Sequence, residues 1–216
     1  MNILLTSAGI KNPAVQQEVL RLLPKPPSEL KLAHIVTASH TEANTEYVDK
    51  DRAALQAVGF EITDISLEDL TPDTTLPTLN KFDIVYVQGG NTFYLLKHAR
   101  ACGFEQAVRK FLEDDNKWYI GVSAGSYIAC PTIEMGYWVP KPDDNHGLTD
   151  PTGLNLVPFL LTVHYNREKY SRSLPEHLRT ASAPVKILTD DQALLVKDGE
   201  ITLLGQGPEI LASSVA

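Results

Sequence analysis

Residues 118–129 run Trp118-Tyr119-Ile120-Gly121-Val122-Ser123-Ala124-Gly125-Ser126-Tyr127-Ile128-Ala129, an apolar stretch broken by Gly-x-Ser-x-Gly and resumed by helix-compatible residues. The short apolar run reads as a buried strand and 126–129 as the opening of a helix, so the serine sits at a strand-to-helix turn. So sharp a turn calls for small residues two before and two after the serine, where side chains would collide. It leaves the hydroxyl exposed, strains the serine backbone and aims the Ala124 N–H where an oxyanion would develop. An ordinary glycine-rich turn shares the bare pattern, and the position after a strand is what makes Ser123 a candidate nucleophile.

The same alternation extends outward in both directions. Upstream, Phe104, Val108, Phe111 and Leu112 recur at helical spacing, and Ile84–Val87 reads as a further strand running into Gln88-Gly89-Gly90-Asn91-Thr92. Earlier still, residues 3–6, 32–36 and 60–65 read as strands. They are separated by a helix capped at Asn12-Pro13 with Val15, Val19, Leu22 and Leu23 on one face, and by a second with Tyr47, Ala54, Leu55 and Val58, which Gly59 ends. Five strands alternating with helices predict an α/β fold, doubly wound, with a mostly parallel sheet covered on both faces. Downstream, 160–164 and 185–188 read as strands, and Asp198-Gly199 as a hairpin turn between 193–196 and 201–204. The length of 216 residues, with no linker or repeat, predicts a single domain over 1–216.

Lys and Arg number 19 against 27 Asp and Glu, a net charge of -8, which argues against nucleic acid and anionic lipid as partners. No stretch approaches the roughly 20 apolar residues that span a bilayer. The first seven residues lack the basic flank and apolar length of a signal peptide. Cys102 and Cys130 are too few and too isolated for a disulfide framework or a metal cluster and read as packing residues. A soluble cytoplasmic protein with neither metal nor organic cofactor is the expectation; no His-Glu-x-x-His is present.

In an open α/β sheet, ligands gather beyond the carboxyl ends of the strands. The double glycine Gly89-Gly90 lies at such an end and can bring backbone close to a substrate and present a second oxyanion N–H, with Asn91 or Thr92 capping the next helix. A serine nucleophile at neutral pH needs a proton acceptor, and six histidines compete. His34 lies mid-strand, His98 and His177 fall in helices, and His146 belongs to a polar stretch. His164 ends the apolar run 159–163, at the edge where ligands bind, with His40 in reserve. Asp190 and Asp191 follow 185–188 and are candidates to orient the imidazole, although aspartates also make ordinary turns.

The set Gln88-Gly89-Gly90-Asn91-Thr92, Gly121-Val122-Ser123-Ala124-Gly125-Ser126 and Val163-His164-Tyr165-Asn166 resembles the peptidase E family, and the resemblance covers nearly the whole chain. It implies a fold related to class I glutamine amidotransferases, flavodoxin-like in layout and shared with cyanophycinases. It also implies a Ser-His-acid triad in that chain order, unlike the Ser-acid-His order of lipases. Amidotransferases carry cysteine at the elbow, so serine at 123 points to amide or peptide hydrolysis.

Carried over position by position, the resemblance implies Ser123 as nucleophile, His164 as base, and the N–H groups of Gly90 and Ala124 as oxyanion donors. Asp190 stands where the family often has glutamate; Asp191, and Glu134 after the elbow helix, are the alternatives. Peptidase E reads an N-terminal aspartate with an arginine downstream of the histidine, which makes Arg167 and Arg172, with Asn91 beside the double glycine, the candidate substrate-binding residues. The expected function is serine-type hydrolysis of small, dipeptide-like substrates through an acyl-enzyme. A non-catalytic binder of the same fold and an esterase or amidase are the alternatives.

Overall fold

The computed structural model describes residues 1–139 and 143–215. Its centre is a seven-stranded sheet. β1 (Asn2–Thr6), β2 (Lys31–Ile35), β3 (Glu61–Ile65), β4 (Ile84–Val87) and β5 (Trp118–Val122) are mutually parallel, in the order β3-β2-β4-β5-β1. Along β1, Ile3 and Leu5 join one apolar core and Leu4 the other, and along β5 Tyr119 and Ile120 divide likewise. Both faces of these strands are therefore covered, which is why they read as unbroken apolar runs.

On one face lie α1 (Pro13–Leu22), through Val15 and Val19, and α2 (Glu46–Ala57), through Leu55. On the other lie α3 (Pro72–Leu79), α4 (Thr92–Ala101), α5 (Phe104–Phe111) and the short α6 (Ala124–Ile128). The Asn12 side chain caps α1 by accepting from the Ala14 N–H, and Pro13 fills its first turn. The face expected for α1 is narrower than the sequence implies, because Leu22 is exposed. On α2 the buried line runs Val48, Asp51, Leu55, so a carboxylate takes a core position.

The strands expected at 160–164 and 185–188 form as β6 (Leu160–Thr162) and β7 (Val185–Ile187), which pair with each other in parallel as a separate two-stranded sheet. The hairpin of β8 (Gln192–Lys197) and β9 (Glu200–Gly205) then adds to β1 antiparallel. Its loop is Asp198-Gly199, both at positive φ, as a two-residue turn matched to strand twist requires. No helix among the described residues is long and apolar enough to cross a membrane.

Candidate active site

Three neighbouring strands, β4, β5 and β1, end side by side and deliver Gly89-Gly90, Ser123 and Ser7 to one place. Ser123 has φ 48 and ψ −106, a strained conformation for a residue with a side chain. The surroundings over-determine it. Its N–H donates to Thr6 O at 3.1 Å, and its carbonyl accepts from the N–H groups of Ser126 and Tyr127 at 2.9 Å each. The Ser126 hydroxyl in turn donates to Thr6 O at 2.9 Å and accepts from Thr6 N–H at 3.0 Å, stitching the elbow to β1. Gly125 permits the tight turn, since a Cβ there would lie 2.1 Å from Val87 O. Gly90, at φ +141, is also obligatory, because a Cβ would lie 2.2 Å from Ala38 O.

The small sheet supplies the remaining groups. His164 lies two residues beyond β6 and Asp190 three beyond β7, so both project from carboxyl ends toward the elbow. His164 Nε2 is 3.1 Å from Ser123 Oγ, and its Nδ1 is 2.5 Å from Asp190 Oδ1. The His164 side chain is 10 % exposed, and its ring packs against the Tyr170 ring, with centroids 5.0 Å apart. Asp190 uses its oxygens separately: Oδ1 faces His164 and Ser7, while Oδ2 accepts from Arg167 Nε at 2.7 Å. Burial alone would raise this carboxyl, but hydrogen bonds from His164 and Ser7, the His164 charge and the Arg167 hydrogen bond outweigh it and hold it well below the usual carboxylate range.

The Ala124 N–H, at the first position of α6, has no partner within the helix. The Gly90 N–H has no acceptor among the described residues. Ala124 directly follows Ser123, and Gly90 lines the same cleft as Ser123.

Of the other candidates, Asp191 accepts from Asn12 Nδ2 at 2.6 Å, and Glu134 from the Ser182 N–H and hydroxyl, so neither contacts His164. His40 pairs with Glu68. The substrate-binding expectations are redistributed. Arg167 lines the cleft but is engaged with Asp190. The Arg172 side chain is 79 % exposed, 4.0 Å from Glu168, and is not among the residues lining the cleft. Asn91 is buried, with Oδ1 capping α4 at the Tyr94 N–H and Nδ2 donating to Asp144 O. Both thiols are buried and unpaired, and burial pushes Cys130 up to about 12, so it is inert at neutral pH. No metal-holding cluster of His, Cys, Asp or Glu occurs among the described residues.

Ser123 opens onto a cleft of about 320 Å³. Its walls carry the cations Lys11, Arg167 and Lys169 and the acids Glu42, Asp51 and Asp143. The Asp51 side chain, 1 % exposed, lies 2.5 Å from Lys11 Nζ and accepts from Gln88 Nε2 at 2.7 Å. Burial, then Glu42, Asp51 and Asp143, push the Tyr47 hydroxyl far above its ordinary value, so it stays protonated and donates to Gly89 O at 3.3 Å. Sequence reading missed Ser7, Lys11 and Asp51. One signal was present, since Asp51 falls on the i, i+3, i+7 line of α2 with Val48 and Leu55, whereas the place of Ser7 beside β5 emerges only from strand pairing.

Known proteins resemble the chain in sequence and in fold. A profile of peptidase family S51 matches residues 3–204. An uncharacterized peptidase of Listeria innocua is 32 % identical over 176 residues, covering 80 % of this chain and 84 % of the relative. Peptidase E of Nostoc sp. is 30 % identical over 187 residues, covering 81 % and 72 %. The crystal structure of a Listeria monocytogenes protein assigned as a peptidase E superposes with a TM-score of 0.81 at 25 % identity, covering 95 % of this chain and 98 % of that one. By sequence and by fold, the chain belongs to peptidase family S51.

Proposed function

We propose that this S51 peptidase is a serine enzyme cleaving small peptides through an acyl-enzyme. The observation that carries the proposal is the unbroken line from Asp190 through His164 to Ser123, at 2.5 and 3.1 Å. Ser123 attacks the scissile carbonyl while His164 Nε2 takes its proton. Asp190 steadies the imidazolium, and the N–H groups of Gly90 and Ala124 receive the oxyanion. His164 then returns the proton to the leaving amine, and water repeats the sequence on the ester. No step calls for a metal or an organic cofactor.

The substrate is a short peptide with a free amino terminus and an acidic first residue. A cleft of about 320 Å³ lies at the small end of ligand-binding cavities, which run to about 1,000 Å³. Its mixed lining supports a zwitterionic guest, with Lys169 for a side-chain carboxylate, since Lys11 and Arg167 are held by Asp51 and Asp190, and with Glu42 and Asp143 for the α-ammonium. Two unpaired buried thiols support the cytoplasmic location proposed with it.

A dipeptide panel tests the proposal by release of free amino acids. Asp-X members are expected to be cleaved at least about tenfold faster than Ala-X, the scale of one charge-assisted contact, and acetylation of the amino group is expected to lower the cleavage of both. Absence of cleavage across the panel would contradict peptidase action on such substrates, and equal rates for acidic and neutral members would contradict the specificity alone.

A further inference from the structure

Ser7 is fully buried at the end of β1, far in sequence from the groups it meets. Its hydroxyl oxygen is 2.7 Å from Asp190 Oδ1, 2.9 Å from the His164 backbone nitrogen and 3.1 Å from His164 Nδ1. A hydroxyl has one hydrogen to give and two lone pairs to offer. Asp190, held ionised, only accepts, so the Ser7 hydrogen goes to Oδ1. The His164 N–H takes one lone pair, and the other faces Nδ1. We infer that Ser7 is a positioning residue of the hydrolytic machinery, fixing both the acid and the histidine for attack by Ser123.

The inference rests on the proposed roles of Ser123, His164 and Asp190 and adds two consequences to them. First, Nδ1 faces two acceptors, Asp190 Oδ1 and Ser7 Oγ. That places the ring hydrogen on Nδ1 and leaves Nε2 as the bare nitrogen toward Ser123, the tautomer that general-base action needs. Second, His164 is held at φ +61, a left-handed conformation uncommon for a residue with a side chain. The Ser7 hydroxyl accepts the N–H of that strained residue and so keeps the ring where β6 alone would not. Asp190 is also a short acid. Its carboxylate stays in place because Ser7 grips the inner oxygen and Arg167 the outer one. Ser7 thereby couples the main sheet to both loops that follow the small one.

A double-mutant cycle on hydrolysis separates this role from plain structural support. Ser7→Ala is expected to lower kcat about ten- to a hundredfold, the usual effect of removing a hydrogen bond to a charged group, with KM changed less than about threefold. In an Asp190→Asn background the same change is expected to cost less than about threefold, because its main partner has already lost its charge. Should Ser7→Ala melt at the assay temperature, Ser7→Cys keeps the volume and a weak donor and is expected to fall between it and wild type. Wild-type kcat in Ser7→Ala, or in Ser7→Cys where the alanine variant melts, overturns the inference. So do losses that multiply through the cycle. In those cases an impaired Asp190→Asn leaves the proposed triad standing, whereas an unimpaired Asp190→Asn overturns both readings.

Discussion

Ser123→Ala is expected to reduce peptide hydrolysis by about 10⁴-fold or more, the scale seen when a serine hydrolase loses its nucleophile. The oxyanion donors are backbone groups and survive the change, so what is lost is the attacking oxygen. Stability should hardly move. Ser123 Oγ makes no capping bond to α6, and its one hydrogen bond among the described residues is to His164 Nε2. The unfolding free energy should therefore match wild type within about 0.5 kcal/mol, as for changes that disturb no packing. Substantial hydrolysis by the purified variant would show that another group carries the chemistry.

Asp190→Asn is expected to lower kcat by about 10³–10⁴-fold with KM little changed, because an amide cannot stabilise the imidazolium and favours the wrong tautomer. The same variant has a stability signature. Since His164, Ser7 and Arg167 depress the Asp190 carboxyl despite its burial, the folded protein binds that proton less readily than the unfolded chain. The carboxylate thus adds stability above the ordinary value of about 3.9, and the contribution fades as pH falls toward the depressed folded value. The gap in melting temperature between wild type and Asp190→Asn should be widest near neutrality and narrow below about pH 4. A gap constant down to pH 2 would show that the carboxylate has no such partners.

Much of the framework was legible because its signals are local. An apolar run ending in Gly-x-Ser-x-Gly, the Asn12-Pro13 cap and the Asp198-Gly199 turn each act within a few residues, and each forms where the sequence puts it. What the sequence hides is long-range. Nothing in 160–162 or 185–187 says that those strands desert the main sheet to pair with each other.

Within the site, the sequence led to Ser123 and His164 but left the acid open, because Asp190 and Asp191 are adjacent and only the turn geometry sends one inward to His164 and the other out to Asn12. Arg167 looked free for substrate because its partner lies 23 residues away. Asp51 was hidden for a different reason: a carboxylate on an apolar helix line reads as an exposed residue until Lys11 and Gln88 are seen around it.

The central claim is that Ser123 is an activated hydroxyl, and reaction with a fluorophosphonate tests it without knowledge of the substrate. Intact-mass measurement after incubation at neutral pH is expected to show one adduct per chain, mapping to Ser123, absent from Ser123→Ala and slowed in Asp190→Asn. Wild-type protein that stays unlabelled, or an adduct on another serine such as Ser7 or Ser126, would contradict it.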